Sequence, residues 1–135
     1  MRLTPLQRSA LVGSFLVLLW SIPGLVLNPD FSTGGAASAR QVLLVDMNGW
    51  HAVSGFLVAV PCLLALGRPR LLAILLAASA GGLLATALWA LLSTRVAGGL
   101  FYFPHNGYDA LLHLAVASTS LWGALRYGDL RPLAR

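Results

Sequence analysis

The sequence contains no glutamate and no lysine, and charged residues make up only 10% of its 135 residues. A soluble domain carries about 25% charged residues, so this chain has too few of them to cover a surface that faces water. Nine arginines against four aspartates give the net charge of +5. The arginines are scattered through short loops and tails, which argues against a nucleic-acid partner and is typical of the signals that orient membrane proteins.

Cysteine is nearly absent as well. The single Cys62 lies inside an apolar run, so it forms no intrachain disulfide and belongs to no metal-ligand spacing. Because glutamate is missing and no Ser-His-Asp arrangement is evident, we predict no catalytic residues and no metal site. An enzyme that acts on a lipid is the one catalytic class that the composition leaves open.

Hydrophobic residues, by contrast, make up 58% of the chain and form four long apolar runs. A helix rises about 1.5 Å per residue, so roughly 20 residues cross a ~30 Å hydrocarbon core. Strands are disfavoured as spans because the runs are continuous and because lone strands leave backbone groups unpaired in lipid. We predict an all-α integral membrane protein, a four-helix bundle of two sequential helical hairpins. It forms a single domain, residues 1–135, with spans at about 9–27, 49–66, 71–92 and 107–125.

The positions of the arginines predict the orientation in the membrane. Seven lie in the N-terminus, in the turn between the second and third spans, and in the C-terminal tail: Arg2, Arg8, Arg68, Arg70, Arg126, Arg131 and Arg135. Only Arg40 and Arg95 lie in the two remaining loops. Because cytoplasmic loops carry the excess of basic residues, we place both termini in the cytoplasm. Arginine in place of lysine and abundant alanine are typical of GC-rich bacteria, so we expect a bacterial cytoplasmic membrane.

Small residues recur at helical spacing in the second and third spans. Gly55 and Ala59 are four residues apart in one span, and Ala77, Gly81 and Ala85 repeat at the same interval in the other. Such stripes let helix backbones approach closely, which is how helices associate in lipid. We expect these residues to pack helices together. The expected partners, apart from membrane lipids, are other integral membrane subunits or a second copy of the chain.

The same polar motif precedes the second and the fourth span. Asn48-Gly-Trp-His51 begins the one, and Asn106-Gly-Tyr-Asp109 begins the other. Asparagine is a favoured N-cap, whose side-chain oxygen accepts a backbone N–H of the first turn. With Asn106 as the cap, Asp109 lies at the third helical position, which approximates a capping box. Two spans separate the copies, so both motifs face the same side of the membrane, the exterior.

His113 lies four residues after Asp109 and therefore on the same face of the fourth helix. Leucines flank it in the sequence, and a polar side chain in such a run points into the bundle and finds a partner. The partners within reach are Asp109 and, at the mouth of the parallel second helix, His51. We therefore predict a polar cluster near the outer surface, formed by Asn48, His51, Asn106, Asp109 and His113.

Three interpretations of this cluster stay open. In the first, its hydrogen bonds, worth about 1 kcal/mol each in membranes, hold the second and fourth helices together. The protein is then a non-enzymatic accessory or structural subunit of a larger membrane complex, and no cofactor is expected. In the second, His51 and His113 are the axial ligands of a haem b or contact another small ligand. In the third, Asp109 and His113 belong to a proton pathway, although no ionisable residue continues it through the inner halves of the spans.

The motifs also carry a resemblance to a known family. "NPDF" at 28–31, "NGWHAVSG" at 48–55 and "NGYDALLHLAVA" at 106–117 resemble the DUF4383 family of small four-span bacterial membrane proteins of actinobacterial type. Its pattern of Asn-x-x-His at the second helix and Asn-x-x-Asp-x-x-x-His at the fourth matches this chain, whereas Gly55 lies where family members often carry a further histidine. The resemblance implies a four-helix integral membrane protein and supplies no activity.

Overall fold

Four helices dominate the fold. The computed structural model describes residues 2–33, 38–92 and 103–127. Along this part of the chain the elements are α1 (Pro5–Leu27), β1 (Arg40–Val42), β2 (Val45–Met47), α2 (Gly49–Leu64), α3 (Pro69–Leu92) and α4 (Gly107–Leu125). The predominantly helical class predicted from the sequence is confirmed. The short antiparallel hairpin β1–β2 is an addition that the sequence pattern does not predict.

Local signals explain where the first and third helices begin. The Thr4 side chain accepts from the Gln7 backbone N–H at 3.2 Å, and the Gln7 side chain accepts from the Thr4 N–H at 3.0 Å. These two bonds form a capping box, which satisfies backbone groups that the first turn leaves unpaired. Pro5 opens α1 and Pro69 opens α3. The missing N–H of proline costs nothing at this first position, because that group has no partner within a helix.

Helices α1 and α3 are long and apolar enough to cross a membrane, with 23 and 24 residues and a mean hydropathy of 2.2 over an 18-residue window in each. Helix α2 is also apolar, but with 16 residues it is shorter. Helix α4 has 19 residues and carries Asp109 and His113 in its first half. Length and composition therefore identify two candidate spans in the described part of the chain, and the crossing of α2 and α4 stays a prediction.

The helices pack mainly as two pairs, α1 against α2 and α3 against α4, and α1 also contacts α4. Glycine residues, which have no side chain, allow the helix backbones to approach each other closely. A Cβ added at Gly55 of α2 would collide with Ser21 and lie 2.9 Å from Val17 of α1. A Cβ added at Gly123 of α4 would collide with Ser9 of α1. The backbones of these helices are therefore closer than any other residue would permit.

The two predicted small-residue stripes have different environments. Gly55 and Ala59 of α2 face α1, and Ala59 is fully buried. Ala77, Gly81 and Ala85 of α3 are exposed within the single chain. The buried face of α3 consists of other residues: Leu72, Ala73, Leu76, Ala80, Leu83 and Ala87. The exposure of Ala77, Gly81 and Ala85 leaves the small-residue stripe outside the packing between the described helices, and its association with a partner stays a prediction.

The hairpin covers the end of the bundle at which α2 and α4 begin. Its inward side chains, Val42, Val45 and Met47, are buried. They form one apolar cluster with Ala52 of α2, and Trp20 of α1 packs against it. Burial of these side chains fastens the hairpin to the helices and so fixes the position of its backbone.

The turn of the hairpin has an unusual backbone. Leu43 and Leu44 have φ of 47° and 76°, a left-handed conformation that costs a residue with a side chain roughly 1–2 kcal/mol. Hydrogen bonds from two helices hold it in place. Trp20 Nε1 donates to the Leu43 oxygen at 3.0 Å, and Asn106 Nδ2 donates to the Leu44 oxygen at 2.9 Å. The turn thereby links α1 to the beginning of α4.

Candidate functional site

Two asparagine caps hold the beginnings of α2 and α4. Asn48 Oδ1 accepts from the His51 N–H at 2.9 Å, and Asn106 Oδ1 accepts from the Asp109 N–H at 3.0 Å. These are the caps that the repeated motif predicts. Each one places a titratable side chain at the third helical position. The carboxylate of Asp109, which a capping box would turn back towards the Asn106 N–H, is directed at histidines instead.

Asp109 is the centre of the site, and its side chain is fully buried. Its Oδ2 is 2.6 Å from His105 Nδ1, while its Oδ1 is 3.4 Å from His51 Nε2 and 3.5 Å from His113 Nε2. The centroids of the three rings are 5.8 to 6.3 Å apart. All three histidines of the sequence therefore surround one carboxylate.

His105 is the member of the site that the sequence analysis misses. It directly precedes the cap Asn106 and lies outside α4, so neither the apolar run nor helical periodicity marks it. The signal that could have found it is its distance of four residues from Asp109, the same interval that separates Asp109 from His113. Its Nδ1–H donates to the carboxylate in a hydrogen bond as short as those between charged groups.

The ring of His51 contacts backbone carbonyl oxygens as well as Asp109. Its Nδ1 lies 3.1 Å from the backbone oxygen of Asp46 in β2. A carbonyl oxygen only accepts, so Nδ1 carries the proton in its contact with Asp46. The Pro104 carbonyl oxygen is a second backbone acceptor for the same ring. Asp109 Oδ1 is buried and has no hydrogen-bond partner. In the neutral ring with the proton on Nδ1, Nε2 and Asp109 Oδ1 are two acceptors 3.4 Å apart, and either a proton on Nε2 or a metal ion removes their repulsion.

The spacing of the ligand atoms at this point fits a metal ion. His51, Asp109 and His113 each offer one ligand atom, and these atoms lie within 4.8 Å of one another. Zinc–ligand bonds of about 2.0–2.2 Å place neighbouring ligands of a tetrahedral site roughly 3.3–3.6 Å apart. The two distances from Asp109 Oδ1, 3.4 and 3.5 Å, agree with that separation. The ligand atoms of these three residues therefore lie close enough together for one metal ion to contact all of them.

A cavity of about 670 Å³ adjoins the histidines. The rings of His51, His105 and His113, each about a tenth exposed, form one end of it. The rest of the wall is mainly apolar and comes from all four helices. Leu57 of α2 and Trp89 of α3 lie on this wall and are also exposed at the molecular surface. In the described part of the chain, the cavity therefore opens sideways between α2 and α3.

A second carboxylate lies in the connection between α1 and β1. Asp30 accepts from the Ser32 N–H at 2.8 Å, and from the N–H and the hydroxyl of Ser38 at 2.7 Å each. The hydrogen bonds from Ser32 and then Ser38 hold the pKa of Asp30 well below its usual range. The Asp30 backbone oxygen accepts from the Gly49 N–H at 2.9 Å. This connection is thereby tied to the first residue of α2.

No family model, no curated protein and no solved structure matches this chain. The resemblance to the DUF4383 family stays a prediction from the motifs alone. The geometry of the histidine–carboxylate site is therefore the basis for the function proposed below.

Proposed function

We propose that this chain is an integral membrane protein that binds a divalent transition-metal ion through His51, Asp109 and His113. The observation that carries the proposal is the buried Asp109 Oδ1, which has no hydrogen-bond partner and lies 3.4 and 3.5 Å from the Nε2 atoms of the two histidines. Removing a carboxylate from water costs several kcal/mol unless the charge is compensated. A metal ion between the three ligand atoms offsets that cost and removes the repulsion between their lone pairs.

Protons on the histidines leave Asp109 Oδ1 with long contacts only. In a doubly protonated His51, Nε2 lies 3.4 Å from Asp109 Oδ1, and the Pro104 carbonyl oxygen is a further acceptor for the ring. The usual N–H···O range is about 2.7–3.2 Å. Asp109 Oδ1 would also have to accept from His113 across 3.5 Å. The two separations at Asp109 Oδ1 are of the size found between neighbouring ligands of one zinc ion.

The donor set favours zinc or ferrous iron. Mg²⁺ and Ca²⁺ prefer oxygen ligands, whereas two imidazoles with one carboxylate suit Zn²⁺ and Fe²⁺. Two further contacts orient the ligands, since His51 donates to the Asp46 carbonyl oxygen and His105 donates to Asp109 Oδ2. Supporting hydrogen bonds of this kind accompany metal ligands in proteins. Three protein ligands also leave at least one coordination position for another molecule.

The same geometry favours a compact ion over the haem b that the sequence analysis leaves open. A porphyrin bound by His51 and His113 would occupy the plane midway between their coordinating nitrogens. Asp109 Oδ1 is about equally close to both Nε2 atoms, so it would overlap the macrocycle. The proposal therefore does not include haem.

In this proposal the protein crosses the membrane four times and the metal site lies near the outer surface. Helices α1 and α3 supply the two candidate spans. At the other end of the bundle, Gln7 Nε2 donates to the Leu66 oxygen at 3.1 Å. This bond joins the beginning of α1, with the exposed Arg8, to the α2–α3 turn, with the exposed Arg68. Grouping of arginines at that end supports cytoplasmic termini.

The role of accessory subunit in a larger membrane complex stays a prediction beside the metal proposal. Ala77, Gly81 and Ala85 present a stripe of small residues on the exposed side of α3. Lipid-embedded helices associate through stripes of this kind. This face therefore supports association with another membrane subunit or with a second copy of the chain.

Metal analysis of the purified protein tests the proposal. Because all three histidines belong to the site, the chain should carry an affinity tag without histidine. After incubation with Zn²⁺, or with Fe²⁺ under anaerobic conditions, and removal of unbound metal, we expect a metal content close to one ion per chain by mass spectrometry. Asp109→Asn, which keeps the shape but removes the charge, should lower the affinity at least about tenfold.

Asp46→Asn is the matched control, because it removes a nearby carboxylate and keeps the backbone carbonyl that accepts from His51. It should bind metal like the wild type. Equal metal binding by Asp109→Asn, His113→Gln and the wild type would overturn the proposal, and so would a folded wild type that binds no metal. Circular dichroism and size-exclusion elution establish that each variant is folded. Visible absorption of bound Co²⁺ adds a readout of the coordination geometry.

A further inference from the structure

The cavity beside the histidines extends well beyond the space that a metal ion needs. We infer that it binds an uncharged single-chain amphiphile whose head is a hydroxyl group, a ligand of the long-chain alcohol class. The head lies at the histidine end of the cavity, and the hydrocarbon tail lies along α2 and α3. This inference goes beyond the metal proposal and rests only on its placement of the bundle in a membrane.

Four side chains with hydroxyl groups line the described part of the cavity, and three of them face protein atoms. The hydroxyls of Ser54 and Thr86 donate to backbone oxygens of their own helices at 2.7 and 3.0 Å. The Ser79 hydroxyl faces the Cys62 thiol. The fourth, Ser21 of α1, is buried, and its hydroxyl has no hydrogen bond to a described residue. Because buried polar groups in proteins are nearly always paired, Ser21 marks the place where a ligand supplies the partner.

Ser21 lies at the same end of the cavity as the histidines. A Cβ added at Gly55 would collide with its hydroxyl oxygen, and Gly55 follows His51 by one helical turn on the same face of α2. His105 also lines the cavity, and its hydrogen bond to Asp109 uses Nδ1 and leaves Nε2. A hydroxyl group both donates and accepts, so it can pair with Ser21 Oγ, or with His105 Nε2 whether or not that nitrogen carries a proton.

The wall offers no fixed charge that would hold an ionic head. Among the described residues that line the cavity there is no arginine and no aspartate, and the Asp109 carboxylate is fully buried behind the histidine rings. The net charge at this end therefore depends on whether a metal ion is bound. A hydroxyl head needs no opposite charge, so it fits the metal-free site and the occupied site alike.

The rest of the wall suits a hydrocarbon tail. On α2 it reaches from His51 to Pro61, which is about 15 Å at 1.5 Å per residue. The cavity is thus elongated along the helix and mainly apolar away from the histidines. Its volume of about 670 Å³ falls within the range of roughly 300–1,000 Å³ that is usual for small-molecule sites.

The position of the opening favours a ligand that comes from the lipid. Leu57 and Trp89, on the two sides of the opening, are 72% and 46% exposed. In the proposed placement these side chains lie among lipid tails, so the cavity opens to the bilayer. A helix of another chain fits the cavity less well, because its backbone groups are bonded within the helix and supply no terminal hydroxyl to Ser21.

Photo-crosslinking in nanodiscs of zwitterionic lipid tests this inference, with a long-chain alcohol that carries a diazirine in its tail as the probe. Two neighbouring glycines of α3 provide matched variants. Gly82 lines the cavity and Gly81 does not, and an added Cβ at either position meets no atom within 4 Å. Gly82→Leu therefore fills part of the cavity, whereas Gly81→Leu adds the same side chain outside it. We expect specific labelling to fall about tenfold in Gly82→Leu and to persist in Gly81→Leu.

Two serines of the wall test the position of the head. Ser21→Ala removes the hydroxyl that has no described partner and should lower labelling about fivefold, the usual effect of one lost hydrogen bond. Ser54→Ala removes a hydroxyl that donates to the backbone, so its labelling should equal that of the wild type. Circular dichroism establishes that both variants are folded.

Competition identifies the head group. Unlabelled dodecan-1-ol should suppress the labelling, whereas dodecane-1-sulfonate and dodecyltrimethylammonium, with tails of the same length and fixed charges of opposite sign, should not. Equal labelling of the two glycine variants, or equal competition by the three amphiphiles, overturns the inference. A wild type that is not labelled, as expected if a helix of a second copy fills the opening, overturns it as well.

The metal content of each sample is measured separately, so the two proposals can fail independently. Labelling that depends on Gly82 and Ser21 in a protein that binds no metal would support the alcohol site and overturn the metal site. Stoichiometric metal with labelling that is the same in all variants would support the metal site and overturn the alcohol site.

Discussion

His105 Nδ1 lies 2.6 Å from Asp109 Oδ2, and this bond joins a residue outside the helices to the first turn of α4. The next residue, Asn106, donates to the Leu44 oxygen in the turn of the hairpin, so His105 is held close to a fixed point of the structure. The bond occupies one carboxylate oxygen and leaves the other directed at His51 and His113. His105 is therefore a positioning residue for the proposed metal ligands.

His105→Ala should weaken metal binding by about 10- to 100-fold, the usual effect of removing a group that orients a ligand. The three ligands stay in place, so binding should persist at high metal concentration. Competition with a chelator of known affinity measures the change. His105→Gln, which keeps a donor, should recover part of the affinity. Unchanged affinity in His105→Ala would show that the 2.6 Å contact does not position Asp109.

His113→Leu should leave the metal-free protein at least as stable as the wild type. It removes a buried Nδ1 that has no hydrogen-bond partner, and burial of such a group costs about 1–3 kcal/mol. The same change should abolish the rise in Tm on addition of Zn²⁺, which for a bound ligand corresponds to about 2.7 kcal/mol at a hundredfold excess over Kd. Thermal unfolding in detergent, with and without Zn²⁺, measures both effects.

The structural interpretation of the cluster predicts a different outcome for His113→Leu. If hydrogen bonds of His113 mainly hold the helices together, the metal-free variant should melt well below the wild type. A metal-free Tm that is equal or higher speaks against that interpretation, whatever the response to Zn²⁺.

Gly55→Ala should destabilise the bundle by about 1–3 kcal/mol, the usual cost of inserting a methyl group into a close contact. The added Cβ would collide with Ser21 and lie 2.9 Å from Val17, so α1 and α2 must separate. Gly81→Ala is the control, since a Cβ there meets no atom within 4 Å. Denaturant or thermal unfolding in the same detergent compares the two. Equal stability of the two variants would mean that α1 and α2 are not as close at Gly55 as the structure places them.

The connection around Asp30 should loosen in acid. Hydrogen bonds from Ser32 and Ser38 hold the pKa of this carboxyl below its usual range, so its contribution to stability is present above the unfolded pKa of about 3.9. It is lost as the pH falls below that value towards the folded pKa. Hydrogen exchange at the Ser32 and Ser38 amides, corrected for the intrinsic rate, measures this loss. In Asp30→Asn the protection should be weaker at neutral pH and should not change in acid.

Much of the helical structure follows from signals that lie close together in the chain. Helix α4 has the predicted bounds, Gly107–Leu125, because the Asn106 cap marks its beginning and the apolar run that follows ends at Leu125. His51, Asp109 and His113 are predicted to meet from the repeated motif and the i, i+4 interval, and their side chains are in fact adjacent.

The hairpin turn and the surroundings of the α3 stripe depend on contacts that no local sequence pattern predicts. The turn of the hairpin is Leu43-Leu44, without the glycine or asparagine that normally favours positive φ, so no local signal predicts it. Its backbone is held by Trp20 and Asn106, which lie far away in the sequence. The stripe of Ala77, Gly81 and Ala85 on α3 is the opposite case. Its regular spacing predicts helix packing, but the three residues are exposed in the single chain.

The apolar runs and asparagine caps specify where helices form, because helix formation depends on neighbouring residues and on the solvent that those residues prefer. Which atoms meet at the site is decided by packing. His105 reaches Asp109, and His51 reaches the Asp46 carbonyl, only after the hairpin and the first turns of two helices are brought together. The unpaired carboxylate oxygen on which the metal proposal depends arises from that assembly, since its neighbours come from separate parts of the chain.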